Sequence, residues 1–199
     1  IKDEDVIIGS VRRDNLSLVV HDLYGFDSKI KKLDQLLAED IGSQIIYSSL
    51  IKTLDEAARY LEKKIGADKF VIYHGQLPDK ERRRAQNQFI NGEIDICLAT
   101  PAFGLGIDKP NIRRIIHIEM PGSIEAYFQE IGRAGRDGQT SDCVLLFDQD
   151  DVATQMDFLK WANPDSDFLV RVLEVIQRHP ERVGSGGLDY LREEMNFKN

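Results

Sequence analysis

The chain has 199 residues, of which 42% are hydrophobic and 30% charged. That suits one globular domain with an appendage, with a core large enough to need no disulfide staples. The formal net charge of −8 excludes a protein that coats nucleic acid by bulk charge, so any such binding must use a local positive strip.

Strand-like runs rich in Ile and Val recur at Leu16–Leu23, Gln44–Ser48, Lys69–His74, Ile94–Thr100, Arg114–Glu119 and Asp142–Phe147. Several are apolar almost throughout, as a parallel sheet covered on both faces requires. Helical periodicity falls between them. Leu33, Leu36 and Leu37 mark a first helix, and Leu54, Ala57, Ala58 and Leu61 a second. A third runs over Asp79–Asn91, after Pro78 and before Gly92. A fourth starts at Ser123, a candidate N-cap, with Glu125 in its first turn. Strands alternating with helices predict right-handed β-α-β units, an α/β doubly wound fold.

From about Asp148 the pattern turns helical, with helices expected over Val152–Trp161, Phe168–Gln177 and Leu188–Phe197. Gly184-Ser185-Gly186-Gly187 reads as a flexible break. The expected domains are 1–150, the α/β unit, and 151–199, a helical extension leading into a further C-terminal domain. The start at Ile1 rather than Met reads as a piece cut from a longer chain.

Cys97 and Cys143 lie in apolar runs and read as buried free thiols in a reducing compartment, cytoplasmic or nuclear. His21, His74, His117 and His179 are scattered, so no metal-ligand spacing exists. No apolar run approaches the ~20 residues a membrane span needs.

The chemistry is expected at the carboxyl ends of the strands, where open α/β sheets bind ligands. After Thr100 comes Pro101-Ala102-Phe103-Gly104-Leu105-Gly106-Ile107-Asp108-Lys109-Pro110. After Glu119 comes a segment carrying Gln129-Glu130-Ile131-Gly132-Arg133-Ala134-Gly135-Arg136-Asp137-Gly138. If helical throughout, Gln129, Arg133 and Arg136 share one face. Gly132 and Gly135 would each cost about 1 kcal/mol inside a helix. Their presence beside two arginines predicts a close backbone approach with guanidinium groups aimed at phosphate. The plainer reading pairs the arginines with Glu130 and Asp137. No Gly-x-x-x-x-Gly-Lys-Ser/Thr loop is present. The arginines therefore read as groups offered to a nucleotide that another domain holds.

With these blocks in view, the chain resembles the RecQ family of superfamily 2 DNA helicases over residues 10–150. Ile45-Ile46-Tyr47-Ser48 resembles motif IV, and Ala99 to Asn111 motif V. Gln129-x-x-Gly132-Arg133-Ala134-Gly135-Arg136-Asp137-Gly138 resembles motif VI. Tyr73-His74-Gly75 and the arginine-rich helix after it resemble the block between motifs IV and V. Gln129, where DEAD-box RNA helicases usually carry His, and Leu105-Gly106-Ile107-Asp108, where they carry Arg-Gly-x-Asp, favour RecQ.

The resemblance implies a second RecA-like lobe of an ATP-dependent 3′–5′ DNA helicase. ATP and Mg2+ would be held mainly by an N-terminal RecA-like lobe of the same polypeptide, with no zinc and no membrane contact in this chain. Arg136 would be the arginine finger, Arg133 a second phosphate contact and Gln129 their support. Gly106 and Asp108 would border the nucleotide. Thr100, Lys109, His74 and Ser48 would contact single-stranded or duplex DNA.

Plainer alternatives stay open. Asp108 caps a turn before Pro110; Thr100 satisfies local backbone; His74 is structural; Arg82-Arg83-Arg84 is a solvated face; Tyr47 and Trp161 are packing residues. An RNA helicase lobe and a non-catalytic binding module are the competing functions. Two departures from the family stand out. Leu50 and Ile51 occupy positions where RecQ proteins carry Ser-Arg, and no zinc-binding cysteines follow Asp151.

Overall fold

The computed structural model describes residues 12–104 and 107–195, without the side chain of Trp161, so the packing expected of that side chain lies outside the described residues. The chain divides into two compact units, Ile1–Val152 and Ala153–Asn199. The first is an α/β unit. Its strands are β1 (Leu16–Asp22), β2 (Gln44–Tyr47), β3 (Phe70–Tyr73), β4 (Ile96–Ala99), β5 (Arg114–His117) and β6 (Ser141–Phe147). They form one six-stranded sheet in the order β1-β6-β5-β2-β4-β3, and every pairing is parallel. The helices between them are α1 (Gly25–Leu37), α2 (Ile51–Ile65), α3 (Asp79–Ile90) and α4 (Ile124–Ile131). The doubly wound fold and its parallel sheet are as the sequence predicts.

Period-two alternation divides the core between the two faces of the sheet. Ile46, Leu98, Ile116, Val144 and Leu146 pack with Ile30 and Leu33 of α1 and Leu54 and Leu61 of α2. Their neighbours Ile45, Tyr47, Cys97, Ala99, Ile115 and Cys143 face the other way. They pack with Ala85 and Phe89 of α3, Ile131 of α4, and Phe103, Ile107 and Ile112 of the segment after β4. Both thiols are thus buried in the second layer, and burial pushes that of Cys143 up to about 12.

β1 departs from the buried reading. It is an edge strand, and Leu18 and Val20 are 56% and 61% exposed. Its apolar run has the composition of a central strand but is paired on one side only, with β6.

At the carboxyl end of the sheet a buried ion pair joins three segments. Lys29 of α1 donates to Asp151 (2.7 Å) and to the carbonyl of Ile118 (2.8 Å). Asp151 also accepts the backbone N–H groups of Met120 and Asp148.

The boundary between the units falls inside α5 (Gln149–Ala162). The second unit continues through α6 (Ser166–Arg178), capped by Asp165, whose carboxylate accepts the Phe168 N–H at 2.7 Å, and α7 (Pro180–Glu194). The break expected at 184–187 is a kink within α7. Only Gly187 leaves helical geometry there (φ 54°, ψ −136°), because a glycine can take positive φ without a Cβ penalty. No helix among the described residues is long and apolar enough to cross a membrane.

Candidate functional site

α4 starts where the sequence predicts: the Ser123 hydroxyl accepts the Ala126 N–H at 3.1 Å. It ends earlier than a single face for Gln129, Arg133 and Arg136 requires. The last helical residue is Ile131, and the chain then turns through Gly135 (φ 55°) and Gly138 (φ 82°). Tertiary bonds capture this turn. The N–H of Gly135 donates to Ile112 O (3.0 Å) and that of Asp137 to Pro110 O (3.2 Å). Asn15 donates to the carbonyls of Gly135 and Gln139, both at 2.9 Å. A Cβ on Gly135 would stand 2.7 Å from the carbonyl oxygen of Gln139, so glycine is required there. The expectation of one helical face is therefore overturned.

The location is corrected too. Ile112 and Asn15 lie just before β5 and β1, and Ser141 opens β6, so α4 has carried the arginine turn to the amino ends of these strands. Only the start of the segment after β4 lies at their carboxyl ends. That segment begins at Thr100, whose N–H donates to Tyr73 O at 3.1 Å. The buried side chains of Phe103 and Ile107 anchor it in the core.

Both arginines meet this segment. Arg133 donates to Gly104 O, and a Cβ on Gly104 would collide with the Arg133 guanidinium. Arg136 donates to Ile107 O (3.2 Å) and pairs with Asp108 (3.0 Å). The pair is at the surface: the Arg136 side chain is 36% exposed and that of Asp108 86%. Asp108 is thus the partner of Arg136, not simply a cap before Pro110. Tyr47 braces the same stretch from β2 by donating its hydroxyl to Phe103 O at 2.9 Å. Tyr47 is buried core and presents no platform for a base.

The acids that could have consumed the arginines are engaged elsewhere. Glu130 is bonded to His117 at 2.7 Å, and Asp137 pairs with Arg113. The Arg113 guanidinium holds the Asp137 carboxyl below its usual range. Gln129 is exposed.

The remaining candidates fall as follows. Gly106 lies outside the described residues. Thr100 is buried, and its hydroxyl has no partner among the described residues. His74 is buried, and its Nδ1 has no partner among the described residues. Two expected nucleic-acid contacts are placed differently from that expectation. Ser48 is fully buried, because Glu119, at the far end of β5, captures its hydroxyl (2.9 Å). The same carboxylate accepts Ser49 N–H, Leu50 N–H and the Thr53 hydroxyl. Lys109 is buried with its ammonium 5.3 Å from the Phe89 ring centre, a cation–π seat that turns it inward. Of the arginine run, Arg82 pairs with Asp79, whereas Arg83 and Arg84 are exposed.

The local pattern did not reveal Glu119, His117, Glu130 or the Lys29–Asp151 pair. The one available signal was polar residues inside or directly after apolar runs, which need buried partners. Among the described residues no His, Cys, Asp and Glu cluster could hold a metal ion. The arrangement offers two guanidinium groups beside an exposed carboxylate, suited to a polyanion brought up from outside.

The family described as helicase conserved C-terminal domain matches residues 28–138. The chain is 35% identical over 175 residues to the probable ATP-dependent DNA helicase RecS of Bacillus subtilis (strain 168), covering 88% of this chain and 35% of that protein. It is 38% identical over 156 residues to the ATP-dependent DNA helicase RecQ of the same organism, covering 78% of this chain and 26% of that protein. The chain thus spans about a third or less of these relatives. Among solved structures, the yeast DEAD-box splicing factor Prp28 superposes with a TM-score of 0.64 at 21% identity, covering 87% of this chain and 35% of that one. At that identity the likeness bears on the fold alone.

Proposed function

The chain belongs to the helicase conserved C-terminal domain family, of RecQ type, and from that premise we propose that it is the second motor lobe of an ATP-dependent DNA helicase with 3′–5′ polarity. The observation that carries the proposal is the placement of Arg133 and Arg136. They bond to Gly104, Ile107 and Asp108, with Arg136 partly exposed and neither consumed by Glu130 or Asp137.

The donor set fits a triphosphate brought by a facing lobe. ATP, with Mg2+ bound mainly by that first lobe, supplies the bond whose cleavage drives the motor. Arg136 leaves Asp108 and places its guanidinium against the charge that develops on the terminal phosphate. Arg133 holds the neighbouring oxygens while Gln129 supports both, and Asp108, with Gly106, then borders the nucleotide. Thr100, whose hydroxyl has no partner among the described residues, grips a backbone phosphate of single-stranded DNA. His74 lies at the end of the strand beside it and is the second candidate for that grip. Closing and opening of the cleft then moves the grip along the strand.

The test is ATP hydrolysis by a polypeptide carrying this chain and its first lobe, with single-stranded DNA or RNA of one sequence. The expected result is strong stimulation by DNA and weak stimulation by RNA. Stimulation by RNA alone would make this an RNA helicase lobe. No stimulation by either would leave a non-catalytic binding module.

A further inference from the structure

Glu130 is a buried carboxylate with two candidate cations or donors in reach. One is His117, at the end of β5, whose Nε2 lies 2.7 Å from it. The other is Arg133, three residues on, whose guanidinium sits on the Gly104 carbonyl, next to the Phe103 carbonyl that the Tyr47 hydroxyl holds. The charges of Arg133 and Glu130 both act on one group, the Tyr47 hydroxyl. Burial pushes the pKa of that phenol up, Arg133 pulls it down and Glu130 pushes it up further. Yet among the described residues Arg133 has no carboxylate partner; its bond runs to the Gly104 carbonyl.

We propose that His117 is a positioning residue that keeps Glu130 away from Arg133, so that Arg133 stays a net positive group available to an anion. A buried carboxylate must be paired. With the imidazole donor in place it is satisfied across the sheet. Without that donor a strong partner open to it is the Arg133 guanidinium, three residues on, whose charge acts on the same Tyr47 hydroxyl as that of Glu130. The pairing would neutralise Arg133 and pull it off the segment after β4. The His117 ring is held by Tyr47 (centroids 5.5 Å apart) and Tyr127 (5.2 Å), and its Nδ1 has no partner. Its Nε2 bond is therefore its one polar duty among the described residues.

The inference deepens the helicase reading and rests on it for its kinetic readout. His117→Phe keeps the ring packing and removes the donor. In the two-lobed polypeptide, H117F is expected to lower the DNA-stimulated kcat by about tenfold or more, the scale of a misplaced catalytic group. The double variant H117F/E130Q, which also removes the carboxylate charge, is expected to return towards the wild-type rate, and E130Q alone to stay near it. A purely structural role predicts the opposite: the double variant is as impaired as H117F or worse, and that result overturns the inference. If H117F does not fold, H117N, whose amide is too short to reach Glu130, carries the same comparison.

A second readout needs no first lobe. In this chain alone, the 15N–1H signal of Arg133 Nε is expected to move in H117F and to return in H117F/E130Q. An unmoved signal in H117F overturns the inference whatever the kinetics. Wild-type protein without DNA-stimulated hydrolysis would instead sink the helicase reading.

Discussion

Replacing Arg136 by alanine in the two-lobed polypeptide is expected to lower ATP turnover by about 10³-fold or more, with single-stranded DNA binding nearly unchanged. On the proposed role the loss is large, because a finger guanidinium meets charge that exists only in the transition state, in a site closed to water. The accompanying loss of structure is small. The Arg136–Asp108 pair lies at the surface, with 36% and 86% of the side chains exposed, and such pairs contribute about 1 kcal/mol or less. Melting temperature therefore separates the two effects: R136A should melt close to the wild type while turning over hardly any ATP. Arg136→Lys should recover only a fraction, because an ammonium cannot reproduce a planar, paired contact with phosphate oxygens. A binding module without chemistry would keep its function in both variants.

The largest effect on stability is expected at Lys29. Lys29→Ala leaves Asp151 as an uncompensated charge in a site where both side chains are under a tenth exposed. Removing one partner of a buried pair costs about 3–5 kcal/mol, a large share of the ~5–15 kcal/mol that holds a domain together. The damage spreads because Lys29 also holds Ile118 O at the end of β5, while Asp151 holds Met120 N–H and Asp148 N–H. Urea unfolding of K29A should show the loss as a lowered midpoint. K29M/D151N, which removes both charges, should lose much less than K29A. If K29A is as stable as the wild type, the pair has no structural role.

These variants divide between what sequence pattern revealed and what it hid. The sheet was legible because β2, β4 and β5 are buried on both faces, and continuous Ile-rich runs have no other common explanation. The edge position of β1 was not, since Leu18-Val19-Val20 has the composition of a central strand and pairing order is set by tertiary contacts. The start of α4 was legible from Ser123, a local cap. Its end was not, because the turn at Gly135 is held by Ile112 O and Asn15, which lie far off in sequence. Arg133 and Arg136 could be named from their glycine-spaced block. Their seats on Gly104, Ile107 and Asp108 belong to a segment some thirty residues earlier. The inward turns of Ser48 and Lys109 have the same origin: Glu119 and Phe89 are remote in sequence and became partners only when the sheet closed.

The division of labour between two lobes is open to one direct measurement, ATP hydrolysis by this 199-residue chain without any other lobe, in the presence of Mg2+ and single-stranded DNA. The account predicts no turnover above the uncatalysed background, because the guanidinium groups here have no phosphate cradle beside them. Sustained hydrolysis that Arg136→Ala abolishes would contradict it, since the chain would then hold the nucleotide by itself.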